Sequence, residues 1–210
     1  MSLNEKFCFE ISNSSIDISQ CISYLNSETW SSYTQFDEKY QGFYGIGLTS
    51  FEKSDSPELD SLKIYQDISR TRNKKESDIN WQLMTNHTHH VHDYIKELFD
   101  RFKFLPHRAR FAKIDPGKKI ALHTDDYTEN ITRVHWPIIT NSDNIMLGHN
   151  LDTKKIDRYY FESGKCYAIN TNVLHGVINN STLARVHLIV NFGISFEELK
   201  SHAKSGLFKS

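Results

Sequence analysis

Two spacings of apolar residues divide this chain near Pro106. Upstream, apolar positions recur at helical intervals. Ile18, Cys21, Ile22 and Leu25 fall at i, i+3, i+4 and i+7, which predicts a helix from about Ile18 to Asn26. Asp17 and Gln20 resemble a capping box at its start. Val91, Tyr94, Ile95, Leu98, Phe99 and Phe102 form a second stripe, predicting a helix from about Thr88 to Lys103 that stops at Pro106. Thr49–Lys63 is polar and rich in Pro, Ser and Asp, and Arg70–Asp78 is charged, so both read as loops. Downstream the period becomes that of strands. The segments Arg108–Ile114, Lys119–Thr124, Ile131–Ile139, Asn144–Leu147, Arg158–Phe161, Lys165–Ile169, Gly176–Ile178 and Ala184–Phe192 are predicted to be extended. Turn chemistry separates them at Asp115-Pro116-Gly117, Asn141–Asp143, Glu162-Ser163-Gly164 and Asn179-Asn180-Ser181. The expected fold class is mainly β with flanking helices (α+β), a sandwich or small barrel with helices packed outside it.

Composition narrows this picture. At 210 residues, without an internal repeat, the chain is expected to be a single domain. Residues 1–105 would be a helix-containing part packed on a β core at residues 106–195. Ten tyrosines and thirteen phenylalanines suit a β-rich core. The formal net charge of -1 gives no basic excess to attract nucleic acid. No apolar run approaches the roughly 20 residues needed to span a bilayer. Met1-Ser2-Leu3-Asn4-Glu5-Lys6 has no secretory apolar core. Cys8, Cys21 and Cys166 are odd in number and widely spaced, forming neither a zinc motif nor a disulfide framework. A reducing, cytoplasmic setting is expected, with a small-molecule or peptidyl substrate and neither nucleic acid nor membrane as partner.

Candidate chemistry centres on His123-Thr124-Asp125. On a strand, residues two apart point the same way, so His123 and Asp125 project together and Asp126 does not. Two histidines and one carboxylate can bind one face of a non-heme Fe(II) and leave the other face open. The third ligand must come from another strand, with His175 the leading candidate. Arg133 and His135 share a strand face just after the first half-site, and Arg185 and His187 share one just after the second. Val186, Leu188 and Val190 alternate with Arg185, His187 and Ile189. An arginine on an otherwise interior face needs a partner, and its planar fork suits a carboxylate. Iron, two arginines and a histidine would together suit a small dicarboxylate.

The ordered blocks Arg110-Phe-Ala-Lys-Ile-Asp-Pro-Gly117, His123-Thr-Asp125, Arg133-Val-His135-Trp-Pro137, Gly164-Lys-Cys-Tyr-Ala-Ile-Asn170, Asn172-Val-Leu-His175-Gly-Val-Ile-Asn179 and Arg185-Val-His-Leu-Ile-Val190 resemble the aspartyl/asparaginyl β-hydroxylase family. That family belongs to the Fe(II)/2-oxoglutarate-dependent oxygenases, and proline 3-hydroxylases of the same broad group are similar here. The resemblance runs from about Arg108 to Phe192. It implies a double-stranded β-helix, a cupin-like jelly roll, with the metal at one mouth. It implies that His123, Asp125 and His175 bind Fe(II). Arg185 would pair with the distal carboxylate of 2-oxoglutarate, and Arg133 and His135 would hold its other end. It also implies a dioxygenase that uses O2 and 2-oxoglutarate to hydroxylate a C–H bond of an amino acid, a related metabolite or a peptidyl Asp, Asn or Pro side chain, releasing succinate and CO2. The alternatives are a cupin-like metalloenzyme that does not use 2-oxoglutarate and a noncatalytic carboxylate-binding protein.

Further residues carry competing readings. His87, His89, His90 and His92 could bind metal nonspecifically, yet they begin the second predicted helix, where His89 and His92 fall on its solvated face. The stretch Phe43-Tyr-Gly-Ile-Gly47 could line a substrate channel or pack in the core around a glycine turn. Tyr127 and Trp136 lie close to the metal motifs and could contact substrate, and Asn170 and Asn172 could shape the loop before His175.

Overall fold

The computed structural model describes residues 3–32, 41–62, 80–125 and 130–209. The predicted Arg70–Asp78 loop, Asp126 and Tyr127 lie outside them. The strands are β1 (Cys8–Glu10), β2 (Ser31–Ser32), β3 (Phe43–Gly47), β4 (Thr49–Ser50), β5 (Asn86–His87), β6 (Pro106–Ile114), β7 (Lys119–His123), β8 (Thr132–Ile139), β9 (Asn144–His149), β10 (Ile156–Tyr160), β11 (Tyr167–Ile169), β12 (His175–Asn179) and β13 (Arg185–Phe192). The helices are α1 (Ile18–Ser27), α2 (Pro57–Asp60), α3 (Asp93–Arg101) and α4 (Phe196–Ser201), with one 3-10 turn at Trp81–Leu83. Among the described residues, one sheet runs β1-β11-β8-β13-β6-β3-β2 and a second runs β10-β9-β12-β7. Apart from the β9–β10 hairpin within the second sheet, consecutive strands from β6 to β13 shuttle between these sheets, and all their pairings are antiparallel. That winding is a double-stranded β-helix, a jelly roll.

Alternation along the strands builds two cores. Val134, Trp136, Ile138, Val186, Leu188, Val190 and Phe111 point out of the larger sheet and pack with Tyr24 and Leu25 of α1, Leu98 and Phe99 of α3, and Leu199 of α4. Between the sheets, Phe43, Ile114, Tyr167 and Ile169 meet Met146, Tyr159 and Val177. The residues of opposite parity on β6, β8 and β13 are Arg110, Arg133, His135, Arg185, His187 and Asn191. They therefore face the interior, away from the helices. Phe7 joins this second core and lies over Gly148, where any Cβ would strike its ring.

The first helix forms as predicted, with the Asp17 carboxylate accepting from the Gln20 N–H at 3.0 Å. The second begins later than its stripe predicted, at Asp93 instead of Thr88. Thr88 is held extended: its hydroxyl donates to the Gly47 carbonyl at 2.7 Å and its N–H to the Leu48 carbonyl at 3.1 Å. The Thr49–Lys63 stretch is not loop throughout, because it contains β4 and α2. There the Asp60 carboxylate accepts from the Phe51 N–H at 3.1 Å, and Leu62 is buried. Phe43–Gly47 is a strand and not a glycine turn, pairing with β6 along its length. Trp136 is not near a substrate channel. It is fully buried on the helix side, donates from Nε1 to the Ser14 carbonyl at 2.6 Å and stacks on Phe102.

Candidate metal centre

The site arises where β7 and β12 pair. His123 ends one strand, His175 begins the other, and the register sets them opposite each other. Their ring centroids are 4.4 Å apart. The ladder shifts register between these histidines and the Val177–Ile120 pair, where β7 carries one extra residue as a β-bulge. Gly176 lies opposite that bulge, where a Cβ would lie 2.8 Å from the Ile120 carbonyl oxygen.

Asp125 reaches the pair by a route other than strand alternation. β7 stops at His123, and Asp125 sits beyond its end with its N–H bonded to the Thr171 carbonyl at 2.9 Å. Its Oδ1 lies 3.4 Å from His123 Nε2, and its Oδ2 lies 2.5 Å from Arg133 Nη1. One ligand atom from each of His123, Asp125 and His175 falls within 4.8 Å of the others.

The imidazoles are set up as ligands. His123 Nδ1 is 2.9 Å from the Ala121 carbonyl, and His175 Nδ1 is 2.9 Å from the Val173 carbonyl. A carbonyl only accepts, so each Nδ1 carries the hydrogen and each Nε2 presents a lone pair. Such backbone contacts orient metal-bound histidines in general. Burial pushes His175 down to about 4, so it is neutral at pH 7 and needs to shed no proton. The contact with Asp125 raises His123. Burial alone would raise the Asp125 carboxyl, but Arg133, His123, His175 and Arg108 outweigh it and hold Asp125 well below the usual carboxylate range. The donor set, two neutral-capable imidazoles and one ionised carboxylate on one side, fits a facially bound divalent iron.

Behind this mouth the interior is cationic. Arg133 Nε donates to Asn191 Oδ1 at 3.3 Å, so Arg133 joins Asp125 to the end of β13. His135 and His187 contact through their Nδ1 atoms at 3.2 Å, and Arg185 Nη2 lies 3.1 Å from His187 Nδ1. Burial, followed by the charges of Arg185, Arg133 and Arg110, pushes His135 well down. Burial and Arg185 do the same to His187. The structure thus brings together all six sequence-predicted residues: His123, Asp125 and His175 at the mouth, with Arg133, His135 and Arg185 behind.

Sequence reasoning passed over Arg110, Arg108 and Asn191. Arg110 was legible, since it has the opposite parity to the helix-facing Phe111. Two members of the histidine cluster are taken up by one carboxylate. Glu28 takes His90 Nδ1 on one carboxylate oxygen and His92 Nε2 on the other, the latter at 2.7 Å, which pins the end of α1 to the segment before α3. His90 is buried there, while His89 and His92 keep the solvent exposure expected of them. The three cysteines are free and buried. No helix among the described residues is long and apolar enough to cross a membrane.

The sequence profile of the Aspartyl/Asparaginyl beta-hydroxylase family matches residues 58–193, starting well upstream of the blocks noted above. No curated protein has a significantly similar sequence. Among solved structures, the chain is similar to a 2OG-Fe(II) oxygenase family oxidoreductase from Burkholderia pseudomallei, at 10% identity and a TM-score of 0.50, covering 86% of this chain and 78% of that one. It is also similar to the non-heme alpha ketoglutarate dependent epimerase SnoN from nogalamycin biosynthesis, at 11% identity and a TM-score of 0.48, covering 89% of this chain and 78% of that one. At 10% identity the likeness to the first of these bears on the fold alone. The family match spans well over half of the chain, and this protein therefore belongs to the aspartyl/asparaginyl β-hydroxylase family, as a hydroxylase-type enzyme.

Proposed function

We propose that this protein hydroxylates a C–H bond of a free amino acid, an amino-acid-like metabolite or a peptidyl Asp, Asn or Pro side chain, consuming 2-oxoglutarate and O2 and releasing succinate and CO2. The observation that carries the reading is the convergence of His123, Asp125 and His175 in front of a buried arginine and imidazole array. Fe(II), held by these three residues, would supply the oxidising chemistry when bound with 2-oxoglutarate and O2.

The chain's own residues do the rest. The Ala121 and Val173 carbonyls fix both ring orientations, so the Nε2 lone pairs are placed before any metal arrives. Arg133 keeps Asp125 ionised and in position. Three donors on one side leave the opposite side for the cosubstrate and substrate. Arg185, buried at the far end of β13, would receive the distal carboxylate of 2-oxoglutarate, and a guanidinium–carboxylate pair gains strength away from water. His135 would lie along the bound chain between Arg133 and Arg185. Arg108 and Arg110 add positive charge within electrostatic reach of Asp125 and His135, which supports a small substrate bearing a carboxylate.

The test is an anaerobic titration of metal-free protein with Fe(II) and then 2-oxoglutarate. A visible charge-transfer band requiring both components is expected, and His175→Ala should abolish it. Arg185→Ala should keep the band but raise the 2-oxoglutarate requirement about ten- to hundredfold, the effect of losing hydrogen bonds to a charged group. Iron uptake without the band would favour a metalloenzyme that does not use 2-oxoglutarate. No iron uptake would remove the metal assignment.

A further inference from the structure

Register along β13 orders the interior side chains as a ladder. Asn191 pairs with Arg133, Ile189 with His135, and His187 with Pro137, while Arg185 ends the series beside Ile114 of β6. Arg133 marks the metal end and Arg185 the deep end. His187 is the rung next to Arg185. It is fully buried, and nothing in the resemblance to the family assigned it a role.

Its hydrogen positions follow from its neighbours. A guanidinium offers only N–H groups. With Arg185 Nη2 at 3.1 Å, His187 Nδ1 must be the acceptor, so the hydrogen of this neutral ring sits on Nε2. His135 Nδ1 contacts the same acceptor at 3.2 Å and must therefore be protonated. The His187 Nε2–H is left buried with no hydrogen-bond partner among the described residues. A buried donor without an acceptor is rare and costly, and a functional role is one of the reasons such a group is retained.

Resting on the cosubstrate reading above, we infer that His187 is a further cosubstrate-binding residue whose Nε2–H donates to the distal carboxylate of the α-keto diacid alongside Arg185. The anionic end then meets a mixed guanidinium and imidazole clamp. His135 holds the His187 ring in the required tautomer and acts as a positioning residue. The clamp is specific for an acceptor at that depth, because a ligand ending in a methyl group or an amine would leave the Nε2–H unsatisfied or opposed.

The experiment uses the full-length protein loaded with Zn(II) as a diamagnetic occupant of the metal site. Calorimetry measures 2-oxoglutarate affinity for the wild type, His187→Leu, His187→Gln and Arg185→Ala. Nitrogen-15 spectra of labelled histidines read the tautomer and its response to ligand. Expected are an Nε2–H form of His187 whose resonance moves downfield on saturation, a loss of about ten- to hundredfold in affinity in His187→Leu, and recovery to within about threefold of wild type in His187→Gln, which retains both a donor and an acceptor. Zn(II) affinity should be unchanged in both variants. If His187→Leu does not fold, the His187→Gln affinity and the wild-type spectra decide. A wild type that binds 2-oxoglutarate through Arg185 while the His187 resonance stays put and its variants bind normally would overturn this inference alone. A wild type that takes up no 2-oxoglutarate would instead overturn the cosubstrate reading on which it rests.

Discussion

Asp125 is a single carboxylate set among Arg133, Arg108, His123 and His175. Its side chain and that of Arg133 are only 21% and 12% exposed, so solvent screens the pair little. Removing one partner of such a pair leaves the other buried without compensation. Asp125→Asn should therefore destabilise the metal-free protein by about 3 kcal/mol, read from urea unfolding. Unchanged stability would mean that the surrounding cations do not depend on this charge. The identity of the three candidate ligands was legible in sequence, because ligand chemistry and two-residue spacing are local. What aims Asp125 was not legible, since it is the Thr171 carbonyl from a distant loop and not the pleat of β7. Trp136 shows the converse. Its parity relative to His135 already put it on the opposite face, yet proximity in sequence to the metal motif suggested a contact that the fold does not make.

At the level of elements, the site depends on one strand pairing. Among the described residues β7 is an edge strand paired with β12 alone, so the His123–His175 distance follows that ladder. The close approach is allowed by Gly176, against which the backbone of Ile120 and Ala121 packs. Gly176→Ala must push two backbones apart, and backbone cannot swing aside as a side chain can. A loss of about 1–3 kcal/mol in stability is expected, as for other overpacked sites. Metal affinity should fall at least tenfold, because the displaced residue adjoins His175. Wild-type metal affinity in this variant would show that the ladder does not set the site. The strands β6 to β13 were readable because hydrophobic alternation and turn residues coincide there. The two-residue strands β2, β4 and β5 were not, since so short a segment has no period of its own and is defined by its partner. The start of α3 failed for a related reason. Val91 continues the helical stripe, but the tertiary bonds of Thr88 and the capture of His90 by Glu28 keep the preceding backbone out of the helix, in a turn closed by the Val91 N–H on the Thr88 carbonyl.

For the whole molecule, the interior chemistry fixes how stability responds to acid. His107, His135, His175 and His187 are buried, and burial pushes all four below their ordinary value, His107 and His175 to about 4. An unfolded chain protonates the same imidazoles near 6.5. Between roughly pH 6.5 and 4 the unfolded state therefore binds more protons, and stability is lost as pH falls through that window. Each such histidine contributes up to about 1.4 kcal/mol per pH unit. His123 acts in the opposite sense, since its contact with Asp125 raises it and stabilises the protonated fold; that gain is complete once pH falls below about 6.5 and leaves the slope below it to the other four. Asp125 is held so low that it adds nothing until pH falls below the ordinary carboxylate value. The thermal midpoint of metal-free protein should accordingly fall steadily from pH 7 to pH 5. A divalent metal binds only the folded form and adds stability according to its free concentration over its dissociation constant. That increment should shrink over the same interval, because protons compete for the Nε2 of His123, while His175 stays neutral throughout it. A metal-free midpoint flat from pH 7 to pH 5 would mean that the buried imidazoles are already charged or reach solvent, and the neutral, ligand-ready interior inferred from their contacts would have to be abandoned.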